Sequence, residues 1–275
     1  LDRSSAASDV YKRQVIPKLA ILRCGENESD SAYLRSAQQH AARCGVAVEV
    51  TSLPETVTRA ALLAAIDGVN RDASVHGCLL LRPLPAHLRD AEDAICNRLL
   101  PEKDVDGMTD VSAAGVYLGR SAGFAPCTAE AVTVLLDHYG IDCTGKRAVV
   151  IGRSPVVGRP AAMLLLERNA TVTVCHTRTQ ALSDVTREAD IIVSAAGAAG
   201  CLTAAHVQPG QTIIDVSANW DAAKNTIVGD ADFDAAASIV DAITPVPGGV
   251  GAVTSAVLMR HVVQAAERTL EGGNL

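Results

Sequence analysis

Arg147-Ala148-Val149-Val150-Ile151-Gly152-Arg153-Ser154-Pro155-Val156-Val157-Gly158-Arg159-Pro160 is the stretch that decides the fold. Its first five residues make a short apolar, β-branched run that stops at a glycine, the pattern of a buried strand. Helical spacing takes over from Ala161 to Asn169, and Pro160 suits a first helical turn, where its missing N–H costs little. A strand-turn-helix of this kind aims backbone N–H groups and the positive end of a helix dipole at whatever enters the turn, which suits a phosphate. Gly152 and Gly158 are only two glycines, six apart, so the turn is not a GxGxxG and on its own fits a plain βα connection equally well.

The pattern continues outward. Toward the C-terminus come a strand over 171–175, a helix over 181–189, and strands over 190–195 and 212–216, a Rossmann-like order. The 171–175 strand ends in His176-Thr177-Arg178-Thr179, where such folds meet the adenosine ribose. An acidic residue there favours NAD. Thr177 and Arg178, with Arg153 in the first turn, suit a 2′-phosphate instead, so NADP is the expected cofactor and NAD the alternative; two solvated arginines are the competing reading. Toward the N-terminus a separate series alternates: a strand at 19–22, a helix over 31–44, a strand over 46–51, a helix over 55–70 and a buried strand over 77–81, stopped by Pro83-Leu84-Pro85. Residues 101–128 lack strong periodicity and read as loops and short helices near a functional surface. A last helix over 254–270 would cross back to the first half.

The expected fold class is therefore α/β: a first domain over 15–128 plus 252–275, interrupted by a Rossmann-like parallel-sheet domain over 129–251, with the C-terminal helix returning to the first domain. The opening fourteen residues, LDRSSAASDVYKRQ, show no periodicity and are expected to be a tag or sequence artefact in place of a native segment.

Composition narrows the function. The chain has 275 residues, 48% hydrophobic but 3% aromatic, so its core is built from Ala, Val, Leu and Ile, as in helices packed on parallel sheets. A formal charge of -7 argues against a nucleic-acid partner. The eight cysteines are scattered singly without zinc spacing, so no metal site is expected and a reducing, cytoplasmic compartment is. No apolar run is long enough for a bilayer, and no membrane partner is expected.

Two further motifs stand out. Lys103-Asp104-Val105-Asp106-Gly107 sets two carboxylates beside a glycine turn, which alone reads as an Asx-type turn. Thr244-Pro245-Val246-Pro247-Gly248-Gly249-Val250-Gly251 fixes an irregular backbone suited to lining a ligand.

Together, Tyr33 in its helix, Pro83-Leu84-Pro85, 103–107, Pro126-Cys127-Thr128, 152–160 and 244–251 resemble the bacterial methylenetetrahydrofolate dehydrogenase/cyclohydrolase family, in order from about Leu19 to about Leu270. The resemblance implies a folate domain with an inserted Rossmann domain, a cleft between them, a homodimer, and a tetrahydrofolate derivative as substrate. It implies catalytic roles for Tyr33 and Asp106, with Tyr33 flanking the folate ring and Asp106 bonding the pterin. Pro245, Gly248 and Gly249 would shape the folate side. Gly152, Arg153, Ser154 and Gly158 would hold the cofactor phosphates and ribose, with Thr177 at the adenosine end.

The departures are equally specific. The family's catalytic lysine position holds Ala37, and its glutamine partner is Leu81. Losing both polar partners together is self-consistent, whereas losing one would strand a buried polar group. Ser112 and Ala114 also replace the family's Asn and Gly. Arg35 faces a different side of the helix from position 37 and is a poor substitute, and Arg82 reaches the pocket only if its strand ends there, where it could polarise but not act as a base. The expected activity is oxidation of 5,10-methylenetetrahydrofolate to the methenyl form, with the cyclohydrolase weak or lost. The alternatives are an enzyme still bifunctional and a non-catalytic folate- or nucleotide-binding paralogue.

Overall fold

The computed structural model of the protein describes residues 15–26, 28–223 and 225–272, without the side chains of 28–33, 271 and 272. The opening fourteen residues lie outside it. The fold divides into two compact units, one formed by the described residues up to Cys127 together with those from Ser255 on, the other by Thr128–Thr254.

In the first unit, β1 (Lys18–Cys24) runs between β2 (Ala47–Leu53) and β3 (Gly77–Leu80), all parallel. Leu19 to Leu22 are all buried, as a central strand covered on both faces requires. Alternation sends Ala20, Leu22, Cys78 and Leu80 to one face, where they cluster with Leu62, Ile66 and Val69 of α2 (Arg59–Arg71) and Ile95 and Cys96 of α3 (Glu92–Cys96). Full burial of each such aliphatic side chain is worth about 1.5–3 kcal/mol. α1 (Glu28–Cys44) joins β1 to β2. α2 starts four residues later than the sequence pattern indicates, because Val57 N–H closes a turn on the Pro54 carbonyl and the Thr58 hydroxyl caps Ala61 N–H at 3.2 Å. α4 (Asp110–Leu118) and α5 (Cys127–His138) follow, and α9 (Val250–Gly272) supplies the C-terminal part of the unit.

The second unit is a five-stranded parallel sheet. Its order is β10 (Ala242–Ile243), β7 (Thr212–Asp215), β6 (Ile191–Ser194), β4 (Arg147–Ile151) and β5 (Thr171–Cys175). β6 and β7 are buried throughout and β4 from Ala148 on. α6 (Gly158–Glu167) follows β4, α7 (Leu182–Arg187) follows β5, and α8 (Phe233–Ala237) precedes β10. α6 stops two residues short of its expected end because Asn169 adopts φ 63° and turns the chain back. Asn169 N–H bonds the Leu166 carbonyl and Ala170 N–H that of Leu165, a Schellman closure. A small antiparallel hairpin, β8 (Asn219–Asp221) with β9 (Thr226–Val228), was not foreshadowed by the sequence pattern. Among the described residues no helix is long and apolar enough to cross a membrane.

Candidate active site

The 103–107 loop separates its two carboxylates by environment. Asp104 is fully buried and accepts four hydrogen bonds: from the N–H groups of Met108 (2.9 Å) and Thr109 (2.8 Å) and the hydroxyls of Thr109 (2.7 Å) and Ser112 (2.6 Å). It ties the loop to the start of α4, where negative charge also suits the helix dipole. The Val105 carbonyl is held by His261 Nδ1–H of α9 at 2.8 Å and the Cys127 thiol at 3.1 Å, while the Val105 side chain packs where a Cβ on Gly77 would sit. Gly107 has φ 71°, and a Cβ there would lie 2.5 Å from Pro126 N, so the 103–107 and 126–128 motifs close on each other. Lys103 Nζ donates to the carbonyls of Val69, Asn70 and Asp72, capping the end of α2.

What this leaves for chemistry is Asp106. Burial pushes its carboxyl up to about 6; the Arg82 guanidinium, Nη2 3.5 Å from Oδ2, pulls it down, the Asp104 charge adds to the rise and His261 opposes it. A group titrating near neutrality in a half-buried position is a functional candidate.

In the second unit the motifs gather at the C-terminal edge of the sheet, where ligands of open α/β sheets bind. Gly152, φ 123°, follows β4; a Cβ there would collide with the Ala195 carbonyl oxygen after β6. A Cβ on Gly158 would collide with the Gly152 carbonyl. The two glycines therefore let backbone fold tightly at the mouth of α6, a ten-residue helix whose positive dipole end lies at the turn, with the Gly158 and Arg159 N–H groups bonded back to Ser154. The Ser154 hydroxyl oxygen accepts from Val157 and Gly158 N–H at 3.2 and 3.3 Å, which leaves its own O–H to donate outward. Arg153, Thr177 and Arg178 are exposed. After β5 the backbone is pinned by Thr179, whose hydroxyl accepts His176 N–H, and by His176 Nδ1, which accepts Arg178 N–H. Residues 245–249 follow β10. Thr244 docks them onto β7, its hydroxyl accepting Asp215 N–H at 2.8 Å, and a Cβ on Gly249 would collide with the Pro245 carbonyl. This geometry fits a dinucleotide: a glycine cradle at a helix N-terminus with cationic and hydroxyl groups at the adjoining strand end.

Comparison with known proteins identifies the family. Residues 3–106 match the tetrahydrofolate dehydrogenase/cyclohydrolase catalytic-domain model and residues 126–270 the NAD(P)-binding-domain model of the same family. The chain belongs to the tetrahydrofolate dehydrogenase/cyclohydrolase family. A bifunctional protein FolD from Carboxydothermus hydrogenoformans is 45% identical over 94% of this chain and 90% of its own length. The structure of the bifunctional dehydrogenase/cyclohydrolase FolD from Campylobacter jejuni superposes with a TM-score of 0.92 at 39% identity, covering 96% of this chain and 93% of that one. The Trypanosoma brucei enzyme, solved with NADP and an inhibitor, has a TM-score of 0.88 at 33% identity, covering 96% and 93%.

Within this tetrahydrofolate dehydrogenase/cyclohydrolase chain, the two positions at which the sequence reading expects a lost polar pair are apolar and enclosed. Ala37 is 2% exposed on α1 and Leu81 is 8% exposed just beyond β3. Tyr33 lies on α1, but its side chain is outside the described part. Ser112 is fully buried against Asp104, and its hydroxyl donates to that carboxylate and accepts Phe124 N–H at 3.4 Å. Asp230 was missed by sequence reasoning. It is fully buried, and its carboxylate accepts from Ala196 and Ala198 N–H, the Ser194 and Ser217 hydroxyls and the Asn219 amide, holding the loop that faces Gly152. The sequence offered little signal, since Asp230 is one of three alternating aspartates, with Asp232 and Asp234. All eight cysteines are free, and burial pushes the thiols of Cys78 up to about 12 and of Cys96 and Cys201 up to about 11, which keeps them protonated and unreactive.

Proposed function

We propose that this protein is an NADP-dependent 5,10-methylenetetrahydrofolate dehydrogenase whose cyclohydrolase activity is weak or lost, working as a cytoplasmic homodimer. The observation that carries the reading is the contrast between two parts of the chain. The glycine cradle of 152–158 and the poised Asp106 are intact, while Ala37 and Leu81 are buried aliphatic residues at the positions of the proton-transferring pair.

NADP, when bound, supplies the hydride acceptor for the methylene carbon of the folate. Gly152, Gly158 and the first turn of α6 receive the phosphates, the Ser154 hydroxyl donates to them or to a ribose, and Arg153, Thr177 and Arg178 meet the 2′-phosphate. Asp106 accepts from the pterin N–H groups and, as a carboxylate, favours the positive charge that the folate gains as its methylene becomes a methenyl bridge. Tyr33 flanks the ring, and Pro245, Gly248 and Gly249 shape the folate pocket. None of these roles needs a proton to move at the carbon, so orientation and charge suffice for oxidation.

Hydrolysis of the methenyl bridge does need a proton taken from water and one given to a ring nitrogen. General acid–base catalysis contributes about 10²- to 10⁴-fold to such steps. An alanine and a leucine can do neither.

The test is a paired assay on purified protein: methenyltetrahydrofolate formation with NADP and with NAD, and hydrolysis of added methenyltetrahydrofolate. Oxidation with NADP and hydrolysis close to the buffer rate are expected. No oxidation with either dinucleotide would refute the dehydrogenase, and fast hydrolysis would refute the loss of the second activity.

A further inference from the structure

We propose that Arg82 is the cation of the folate site in this chain, a positioning residue that keeps Asp106 a carboxylate toward the substrate and replaces the charge that position 37 does not carry. The inference rests on the dehydrogenase reading above and adds a residue to it.

The backbone brings Arg82 there. β3 ends at Leu80, and Leu81 N–H makes a last bond of the sheet to the Leu22 carbonyl at 2.9 Å, after which the chain turns away at Pro83. The sequence condition for Arg82 to enter the pocket, that the strand end beside it, is met. Its guanidinium lies 3.5 Å from Asp106, with the two side chains 25% and 22% exposed, so each is screened from much of the solvent.

The other cations around the loop are occupied elsewhere. Lys103 caps α2 through three carbonyls, Arg268 stacks over the Phe124 ring 4.2 Å from its centroid, and His261 Nδ1 donates to the Val105 carbonyl. The charged groups that bear on Asp106 are Arg82, Asp104 and His261, and Asp104 already accepts four hydrogen bonds. Arg82 is thus the group set to control Asp106.

The chemistry fits the proposed division of activities. A guanidinium carries five donors, so one edge can meet Asp106 while another meets a carbonyl oxygen or ring nitrogen of a bound pterin. It is a donor-only group with no acceptor, so it orients and polarises but cannot activate water. A lysine-to-arginine relocation of charge therefore preserves a substrate-binding cation and gives up a proton shuttle.

The experiment titrates the Asp106 carboxyl by carbon-13 NMR in the unliganded wild type and in Arg82→Leu and Arg82→Lys, alongside the pH profile of kcat/KM for methylenetetrahydrofolate oxidation. Removing a cation at this distance raises a carboxyl by roughly one pH unit. Arg82→Leu is expected to show that rise, to move the acid limb of kcat/KM upward with it, and to raise the folate KM by more than it lowers kcat. Arg82→Lys is expected to restore most of the limb. An Asp106 titration unmoved by Arg82→Leu overturns the inference whatever the activity. Oxidation absent from the wild type as well overturns the dehydrogenase reading instead, and the two failures are separated because the titration needs no substrate.

Discussion

Two carboxylates two residues apart should have opposite effects on stability when each is replaced by its amide. In Asp104→Asn the side-chain oxygen can keep the three donors on Oδ2, from Thr109 N–H and the Thr109 and Ser112 hydroxyls, but the new amide N–H₂ then faces Met108 N–H. One charge-assisted bond disappears, a buried donor is left facing a donor, and the other three lose the ionic contribution. Buried bonds to a charged group are worth about 1.5–3 kcal/mol and a stranded donor costs about 1–3, so the change should cost roughly 3 kcal/mol. Asp106 has its folded carboxyl above the ordinary 3.8. Its contribution to stability is therefore complete below pH 3.8 and is lost as pH rises toward about 6, staying lost above that. The full loss is about 3 kcal/mol, since each unit is worth about 1.4. That figure is already net of the Arg82 attraction, so Asp106→Asn, which carries no charge, removes all of it. The amide should thus stabilise the protein by about 3 kcal/mol at pH 8, with the gain shrinking between pH 6 and pH 4. Scanning calorimetry at pH 8 should place Asp104→Asn roughly 6–12 °C below the wild type and Asp106→Asn some degrees above it. Destabilisation by Asp106→Asn at pH 8, or a gain that does not change with pH, would refute the assignment of one carboxylate to structure and the other to chemistry.

Two further outcomes test the same site. Gly152→Ala puts a side chain on a residue at φ 123° and into the Ala195 carbonyl, so NADP affinity measured by calorimetry should fall more than tenfold while folate affinity, to which this turn is not assigned, is unchanged; equal NADP affinity would show that the turn does not approach the phosphates. Ala37→Lys places an ammonium in an enclosed slot and should cost about 2–4 kcal/mol, whereas adding Leu81→Gln should recover part of that and raise methenyltetrahydrofolate hydrolysis about 100-fold; equal hydrolysis by the single and double variants would show that the pair does not act together.

Leu19–Leu22 and Arg147–Ile151 were legible because parallel, covered strands are runs of apolar residues, and the edge strand Thr171–Cys175 because it is a run of β-branched residues; all three stood where the sequence placed them or within two residues. α5 was not singled out. Its buried Ala129, Val132 and Leu136 recur at helical spacing, but alanine and β-branched residues mute the contrast that marks an amphipathic helix. The β8–β9 hairpin is too short and too exposed to carry an alternating pattern. At the site, glycine turns were visible as glycines. The division between Asp104 and Asp106 was not, because it depends on Thr109, Ser112, His261 and Arg82, which only the fold brings around them.

The same distinction decides how far a family resemblance can carry. Ala37 and Leu81 were readable in the sequence as a paired loss, which left a binding paralogue as an alternative to the dehydrogenase. Arg82 changes the balance. A pocket that had drifted without function would have no reason to keep a half-buried carboxylate at the cost of about 3 kcal/mol, nor to set a guanidinium 3.5 Å from it. A structural ion pair would do better as a buried apolar contact. An acid beside a guanidinium, with aliphatic side chains at positions 37 and 81, is the arrangement that the proposed oxidation without hydrolysis calls for.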